Sequence, residues 1–262
     1  MDVETAWLCK KLMEMVLNNW RIVMKIKLIA AAVALSAWTG AANAVFVNGT
    51  GPNPLADRLS TDYSISIDAN ADQLSDAADS HWQVASGNTT ATILLELAGK
   101  SGTNTFGIYD LADPTGNRVE LFAGSASATD QVLLEVAGNG DVSVNGSLMA
   151  SLSSNTFGFY LARPDRSFYS DSALNFGGRD QMAAYQGDGS STTNIPGDGT
   201  WDLSDYVLAW EDLLYDASKY DTSDVNDFVV YIENITPVPE PGTLALLGLG
   251  LAGLGAARRR KA

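Results

Sequence analysis

Cysteine and histidine are almost absent from this chain of 262 residues, which contains one of each. The cysteine, Cys9, lies in an N-terminal stretch that we expect to be removed. The mature protein would then have no disulfide, no cysteine nucleophile and no cysteine-ligated zinc. Any Ser-His-Asp triad would have to use His81, but no G-x-S-x-G motif accompanies it. A packing or surface role is therefore favoured for His81.

Basic residues are scarce in the central part of the chain. Residues 45–238 contain 27 Asp and Glu but only 7 Lys and Arg, a formal net charge of −20. A field of this sign repels nucleic acid and anionic lipid and attracts cations, so we expect no nucleic-acid partner. Two interpretations stay open, a specific role for a divalent cation and simple solubility of a secreted protein.

The N-terminal hydrophobic run is too short to span a membrane. Lys25 and Lys27 precede an apolar run of about 11 residues, whereas a span needs about 20. The small residues Ala42 and Ala44 then form an A-x-A cleavage site. This pattern predicts a signal peptide over residues 24–44, with residues 1–23 as an upstream extension outside the true coding start. The Sec export machinery is the partner that such a signal implies.

Short strand-like runs bounded by Gly, Asn, Asp and Ser fill residues 45–236, and helical periods do not separate them. This pattern is typical of an all-β, antiparallel β-sandwich of jelly-roll type, with 45–150 and 151–236 as subregions. The runs predicted as strands are Tyr63–Ile67, Ala91–Leu97, Thr105–Leu111, Arg118–Phe122, Gln131–Val136, Asp141–Val144, Thr156–Ala162 and Asp227–Ile235. Residues 204–220 can be read as a helix, but a strand followed by a loop is favoured. Residues 187–199 predict a long flexible connection.

Two short motifs occur twice. "ILLELAG" at 93–99 recurs as "VLLEVAG" at 132–138, and "NTFGIY" at 104–109 recurs as "NTFGFY" at 155–160. The spacings differ, so this is no fixed-period solenoid. Similar hairpins packed in one sandwich explain the repetition, and so does an old duplication.

Acidic residues cluster around two late apolar runs. If these two runs pair as strands, the side-chain oxygens of the neighbouring acidic residues meet at one end of a sheet. Calcium takes six to eight oxygen ligands of this kind. The spacing departs from an EF-hand loop, and a solvated acidic loop is the alternative. The candidate ligands are Glu211, Asp212, Asp221, Asp224, Asn226 and Asp227.

The C-terminal 25 residues carry three parts in order. Pro239, Glu240 and Pro241 form a triplet, an apolar segment follows over 243–257, and a basic cluster closes the chain at 258–261. This tail, within residues 237–262, resembles the PEP-CTERM sorting signal of Gram-negative, biofilm-forming bacteria. The resemblance implies a short transmembrane sorting helix, transient inner-membrane anchoring and processing by an exosortase near the triplet. It also implies delivery to the cell surface or the exopolysaccharide matrix.

A second resemblance covers about residues 155–235. The segment Trp210–Leu213, with Asp224, Asn226 and Asp227, is similar to a domain of unknown function found upstream of PEP-CTERM tails and in calcium-rich adhesins. The resemblance implies a β-sandwich and calcium binding, not a reaction. Gln181 stands where members of that family often have His, and this difference removes a ligand or packing group.

Together these patterns predict an exported, non-enzymatic surface or matrix protein with calcium as its cofactor. The alternative is a carbohydrate-binding or adhesin module that acts on exopolysaccharide, in which exposed Trp82, Trp201 or Trp210 would stack on sugars. A secreted hydrolase is a third possibility, and it would need two facing carboxylates in a cleft.

Overall fold

The computed structural model describes residues 55–68, 72–85, 87–96, 101–213, 226–239 and 250. Two antiparallel sheets form the framework of this part of the chain, in which the helices are few and short. The expected all-β sandwich is thus confirmed. The signal peptide, the apolar part of the tail and its basic end lie outside the described residues. Within the described part of the chain, no helix has both the length and the hydrophobicity needed to cross a membrane.

The larger sheet has seven strands in the order β10-β11-β12-β2-β5-β6-β7. Its strands are β2 (Asn88–Glu96), β5 (Gln131–Val136), β6 (Asp141–Val144), β7 (Ser147–Ser151), β10 (Met182–Gln186), β11 (Tyr206–Trp210) and β12 (Phe228–Ile232). Four of its six strand pairs join strands that follow one another in the sequence, and β2 connects the two groups through long-range pairing with β12 and β5.

The second sheet has six strands in the order β13-β1-β8-β3-β4, with β9 also paired to β8. Its strands are β1 (Trp82–Val84), β3 (Thr105–Asp110), β4 (Asp113–Phe122), β8 (Phe157–Arg163), β9 (Arg166–Tyr169) and β13 (Ile235–Pro237). The last strand, β13, pairs with β1 at the edge of this sheet.

Aromatic side chains fill the space between the sheets. The Phe106 ring stacks on Phe159 with centroids 5.6 Å apart, and it also contacts Phe228 at 5.4 Å and Trp210 at 6.0 Å. Successive strand residues point to opposite faces, so Trp210 and Phe228 face this core while Ala209 and Val229 face outward. The core therefore fixes the register at the end of the β11–β12 pair.

The outer face of the seven-stranded sheet is covered as well. Helix α1 (Leu55–Tyr63) packs Leu55 and Leu59 on it, and the Tyr63 hydroxyl donates to the Leu94 carbonyl at 2.6 Å. Residues 187–199, predicted as a flexible connection, contain no strand, and their Ile195 is buried in the same outer cluster. This face is thus a second, smaller core.

The repeated motifs lie on strands that pair directly with one another. "ILLELAG" and "VLLEVAG" contribute β2 and β5, and "NTFGIY" and "NTFGFY" contribute β3 and β8. Neighbouring strands that face the same core need similar alternation, and this explains the likeness in physical terms. A duplication gives the same pairing and stays open.

One predicted strand is wrong. Tyr63–Ile67 alternates as a strand does, yet Tyr63 ends helix α1 and residues 64–68 follow without regular structure. Leu55, Leu59 and Tyr63 lie four apart and form the buried stripe of the helix, and Ser64 then takes a positive φ of 61° that ends it. The favoured strand over the start of 204–220 is confirmed as β11. Strands β1, β7, β9 and β10 were not predicted.

Gly158 on β8 allows the closest approach between the paired strands β3 and β8. A Cβ atom at this position would lie 2.1 Å from the Tyr109 ring. We predict that Gly158→Ala lowers the free energy of unfolding by about 3 kcal/mol, because a fully buried ring has no room to shift. Urea denaturation measures the loss. Gly199→Ala is the control, since its Cβ would meet no atom within 4 Å. Equal stability of the two variants would contradict this account of β8.

Candidate metal centre

Three carboxylates meet where β11 ends and β12 begins. Trp210 pairs with Phe228 in the last register position, so the residues after Trp210 lie beside those before Phe228. Glu211, Asp212 and Asp227 each offer an oxygen within 4.8 Å of the others. Glu211 and Asp212 are buried, with 5% and 2% of their surfaces exposed. The structure therefore brings together three of the six predicted ligands.

Of the other three predicted ligands, the structure describes only one. Asn226 is buried directly before Asp227. Asp221 and Asp224 lie outside the described residues, so their place in the site stays a prediction. The same holds for the processing residues Ala42, Ala44, Glu240 and Pro241, whereas Pro239 is described and exposed.

Backbone amides hold the carboxylates in place. The Asp212 N–H donates to Asp227 Oδ2 at 3.0 Å, and the Leu213 N–H donates to Glu211 Oε1 at 3.0 Å. Hydrogen bonds of this kind favour the ionised form of a carboxylate. The strand ends are thus joined by the acidic side chains themselves.

Asn104 reaches this cluster from the opposite sheet. It directly precedes β3, and its Nδ2 donates to Asp212 Oδ2 at 2.8 Å. An ionised carboxylate only accepts hydrogen bonds, so the amide must present its nitrogen to Asp212. Its oxygen, Oδ1, then has no hydrogen-bond partner among the residues that the structure describes, in a side chain that is 1% exposed. A buried, unpaired amide oxygen beside carboxylates is a ligand atom of the kind that calcium takes.

Arg163 is the one basic side chain that the described residues bring to the cluster. Its Nη1 donates to the Asp212 carbonyl at 2.6 Å and lies 3.9 Å from Asp212 Oδ1, while its Nε lies 3.3 Å from Asp165. One guanidinium therefore faces three clustered carboxylates and a fourth outside them. The local charge stays negative, and a divalent cation would neutralise it.

Gln181 supports the end of β11 from the neighbouring strand. Its Nε2 donates to the Glu211 carbonyl at 3.1 Å and to the Leu213 carbonyl at 2.8 Å. These bonds fix the backbone on both sides of Asp212, so Gln181 is a positioning residue. Sequence reasoning singled out Gln181 only by its difference from related domains, and it missed Asn104 and Arg163. Nothing in their local patterns identifies them, although Asn104 opens one of the repeated motifs.

His81 lies half-buried, away from this cluster. Its Nε2 is 3.6 Å from Asp171 Oδ2, and the His81 imidazole lowers the pKa of the Asp171 carboxyl. The backbone of His81 also binds the residue after the last strand, β13, because the Val238 N–H donates to the His81 carbonyl at 2.8 Å. The chain therefore stays paired to the sheet edge until one residue before the Pro-Glu-Pro triplet.

Comparison with known proteins identifies one family. A model described as the PEP-CTERM protein-sorting motif matches residues 237–261. No curated protein and no solved structure matches the chain. The sequence-based identification of the tail is thus confirmed, and the match begins at Pro237, the last residue of β13. The resemblance of residues 155–235 to a domain of unknown function lies outside this match and stays a prediction.

Replacing Gln181 tests whether it positions the metal centre. We predict that Gln181→Leu lowers the free energy of unfolding by about 2 kcal/mol, because two carbonyl partners lose a buried donor. Gln186→Leu is a matched control on the same strand, since the exposed Gln186 donates to a single carbonyl, that of Leu203, and its loss costs below about 0.5 kcal/mol. Chemical denaturation measures both values. If the Gln181 variant were as stable as the Gln186 variant, the positioning role of Gln181 would be contradicted.

Proposed function

We propose that this protein, which a PEP-CTERM tail marks as exported and sorted by an exosortase, is a non-enzymatic component of the cell surface or extracellular matrix that calcium stabilises. The observation that carries the calcium proposal is the group Glu211, Asp212 and Asp227 with the unpaired Asn104 oxygen beside it. Adhesion and exopolysaccharide binding are the roles that such a location favours.

The donor set fits calcium by its chemistry. Calcium takes oxygen ligands from carboxylates, amides and carbonyls in a flexible geometry, and this site offers carboxylate and amide oxygens without nitrogen or sulfur. Magnesium prefers a strict octahedral arrangement and keeps several waters. Calcium modules outside cells bind with dissociation constants of about 10⁻⁴ to 10⁻³ M, and the export signal places this protein in that setting.

Calcium would join the two sheets at this end of the sandwich. Glu211, Asp212 and Asp227 belong to the β11–β12 connection of the seven-stranded sheet, and Asn104 precedes β3 of the other. A cation bound by both sides adds a contact that the unfolded chain lacks. The free energy of unfolding then rises with calcium concentration.

A pocket of about 620 Å³ bears on the secreted hydrolase that the sequence left open. It lies between the start of β11 and β13, and Asp202 is the single carboxylate of its lining. Glycoside hydrolysis needs two carboxylates across a cleft, so this pocket lacks the pair. The observations give no support to the hydrolase considered from the sequence.

The tryptophans do not support sugar stacking. Trp82 and Trp210 are fully buried, and Trp201 is 3% exposed. A sugar ring stacks on an exposed aromatic face, so the three candidates are unavailable for this contact. We therefore propose no tryptophan-based carbohydrate site, and any contact with exopolysaccharide must use other residues.

Calcium should stabilise the full chain purified in mild detergent. At about ten times the dissociation constant, a single site adds about 1.4 kcal/mol to the free energy of unfolding and raises the midpoint by about 4 °C. Differential scanning fluorimetry with calcium, magnesium and chelator measures the shift. Asp57→Asn, an exposed change on α1, should keep the whole shift, and the double variant Glu211→Gln/Asp212→Asn should show a clearly smaller one. An equal shift in both variants, or none in the wild type at millimolar calcium, refutes the proposal.

The sorting tail predicts a processing defect. Replacing Pro239, Glu240 and Pro241 with alanine in a host that expresses an exosortase should leave an uncut chain in the membrane fraction. The wild-type body, and a Thr236→Ala variant of the exposed β13 residue, should appear outside the inner membrane. Immunoblots of cell fractions measure the distribution. Normal release of the triple variant would show that processing does not depend on the triplet.

A further inference from the structure

A second group of acidic residues lies at the edge of the sandwich, apart from the β11–β12 connection. Residues 73–74 run antiparallel to the edge strand β10, through a bridge from Gln73 to Tyr185 and a 2.9 Å bond from the Leu74 N–H to the Ala184 carbonyl. The one-turn helix α2 (Asp76–Asp79) follows. This path brings α2 towards the start of β10, where Asp180 lies two residues before Met182.

Asp79 and Asp180 are buried there without neutralising partners among the described residues. Asp79 is fully buried, and neither of its side-chain oxygens has a hydrogen-bond partner in that part of the chain. Asp180 is 7% exposed; its Oδ1 accepts from the Met182 N–H at 3.1 Å, but its Oδ2 has no partner. No ion pair between described residues involves either carboxyl. Three buried carboxyl oxygens are thus left unsatisfied.

The surrounding segments are held firmly. The Trp82 indole N–H donates to the Asp79 carbonyl at 2.7 Å, and Ser170 Oγ donates to the Ser80 carbonyl at 2.6 Å. Ser172 Oγ donates to Asp76 Oδ2 at 2.9 Å. Segments near β1, β9 and β10 therefore converge on the two carboxyls, and the unsatisfied oxygens do not lie on a loose surface loop.

A carboxylate without a partner is too costly to bury in its charged form, so it either keeps a proton or binds a cation. Burial, and then the charges of Asp180 and Asp76, raise the pKa of Asp79 well above its ordinary value. Burial, and then the charge of Asp76, raise the pKa of Asp180 to about 8. Without a cation, Asp180 therefore holds a proton at neutral pH, and burial favours the protonated form of Asp79 as well.

We propose that Asp79 and Asp180, with Asp76 beside them, form a second divalent-cation site that takes calcium. The two fully or nearly buried carboxyls supply the unsatisfied oxygens, and Asp76 supplies a further carboxylate through a bound water. Cation binding displaces the protons of these carboxyls to the solvent. This site would fasten the segment before β1 to the edge strand β10.

Calcium titrations of the full chain in mild detergent measure both the number of calcium ions bound and the number of protons released. Calorimetry in two buffers of different ionisation enthalpy should give two calcium ions for the wild type, with release of at least one proton at pH 7. Since bound protons compete with calcium, the affinity of this site should rise about tenfold per pH unit, for each displaced proton, below about pH 8. Asp79→Asn and Asp180→Asn should each bind one calcium ion and lose the proton release.

The variant Glu211→Gln/Asp212→Asn separates this proposal from the first site, because it leaves Asp79 and Asp180 intact. It should still bind one calcium ion with proton release, and this measurement does not require Asp79→Asn to fold. Asp57→Asn should behave as the wild type. If the double variant binds no calcium, or if the Asp79 variant keeps the wild-type number of cations and protons, the second site is overturned.

The same carboxyls predict a pH dependence of stability in chelator. Their pKa values are raised in the folded state, so the folded protein holds more protons than the unfolded chain between about pH 4 and pH 8. The free energy of unfolding should therefore fall as the pH rises through this window. In Asp180→Asn, the free energy of unfolding should decrease less steeply with pH. Added calcium should also make this decrease smaller in the wild type. Denaturation at a series of pH values measures the slope, and an unchanged slope in Asp180→Asn would count against the proton-bearing pair.

Discussion

Negative charge buried beside an aromatic core shapes this protein more than any other interaction. A carboxylate that leaves water loses several kcal/mol of hydration, and it must recover that loss from hydrogen bonds, protons or cations. Asp212 does so through the Asn104 amide, which donates to its carboxylate, whereas Asp79 has no donor among the described residues. The core packing of Trp210 and Trp82 holds the neighbouring backbone in place, so the acidic groups cannot simply turn out to solvent.

The sandwich places both acidic groups next to strand β10, on either side of its first residues. Gln181 holds the backbone around Asp212, while Asp180, the residue before it, belongs to the other group. Alternation along an extended chain sends successive side chains to opposite sides, and this explains how adjacent residues serve separate clusters. Calcium at either place would tie together segments that are distant in sequence.

Local patterns predicted most strands but not every one. Apolar and polar residues alternate along Gln131–Val136 because this strand buries only one face, so the predicted strand agrees with β5. Tyr63–Ile67 alternates equally well and is still no strand, because the helical stripe of Leu55 and Leu59 continues into Tyr63 and packs on the outer face of the sheet. Short strands such as β1 carry too few residues for a period to be recognised, and only pairing with β8 and β13 defines it.

The sequence by itself determined the export tail, the all-β class and the acidic cluster around Glu211 and Asp227. These features depend on composition, on alternation and on residues that neighbour the ends of two paired strands. Tertiary structure alone decided that Asn104 meets Asp212, that Gln181 supports it and that Asp79 lies near Asp180. Asn104 and Asp212, like Asp79 and Asp180, are separated by about a hundred residues, and Gln181 reaches its partners across about thirty. No local preference encodes such contacts, because they exist only once distant segments pack together.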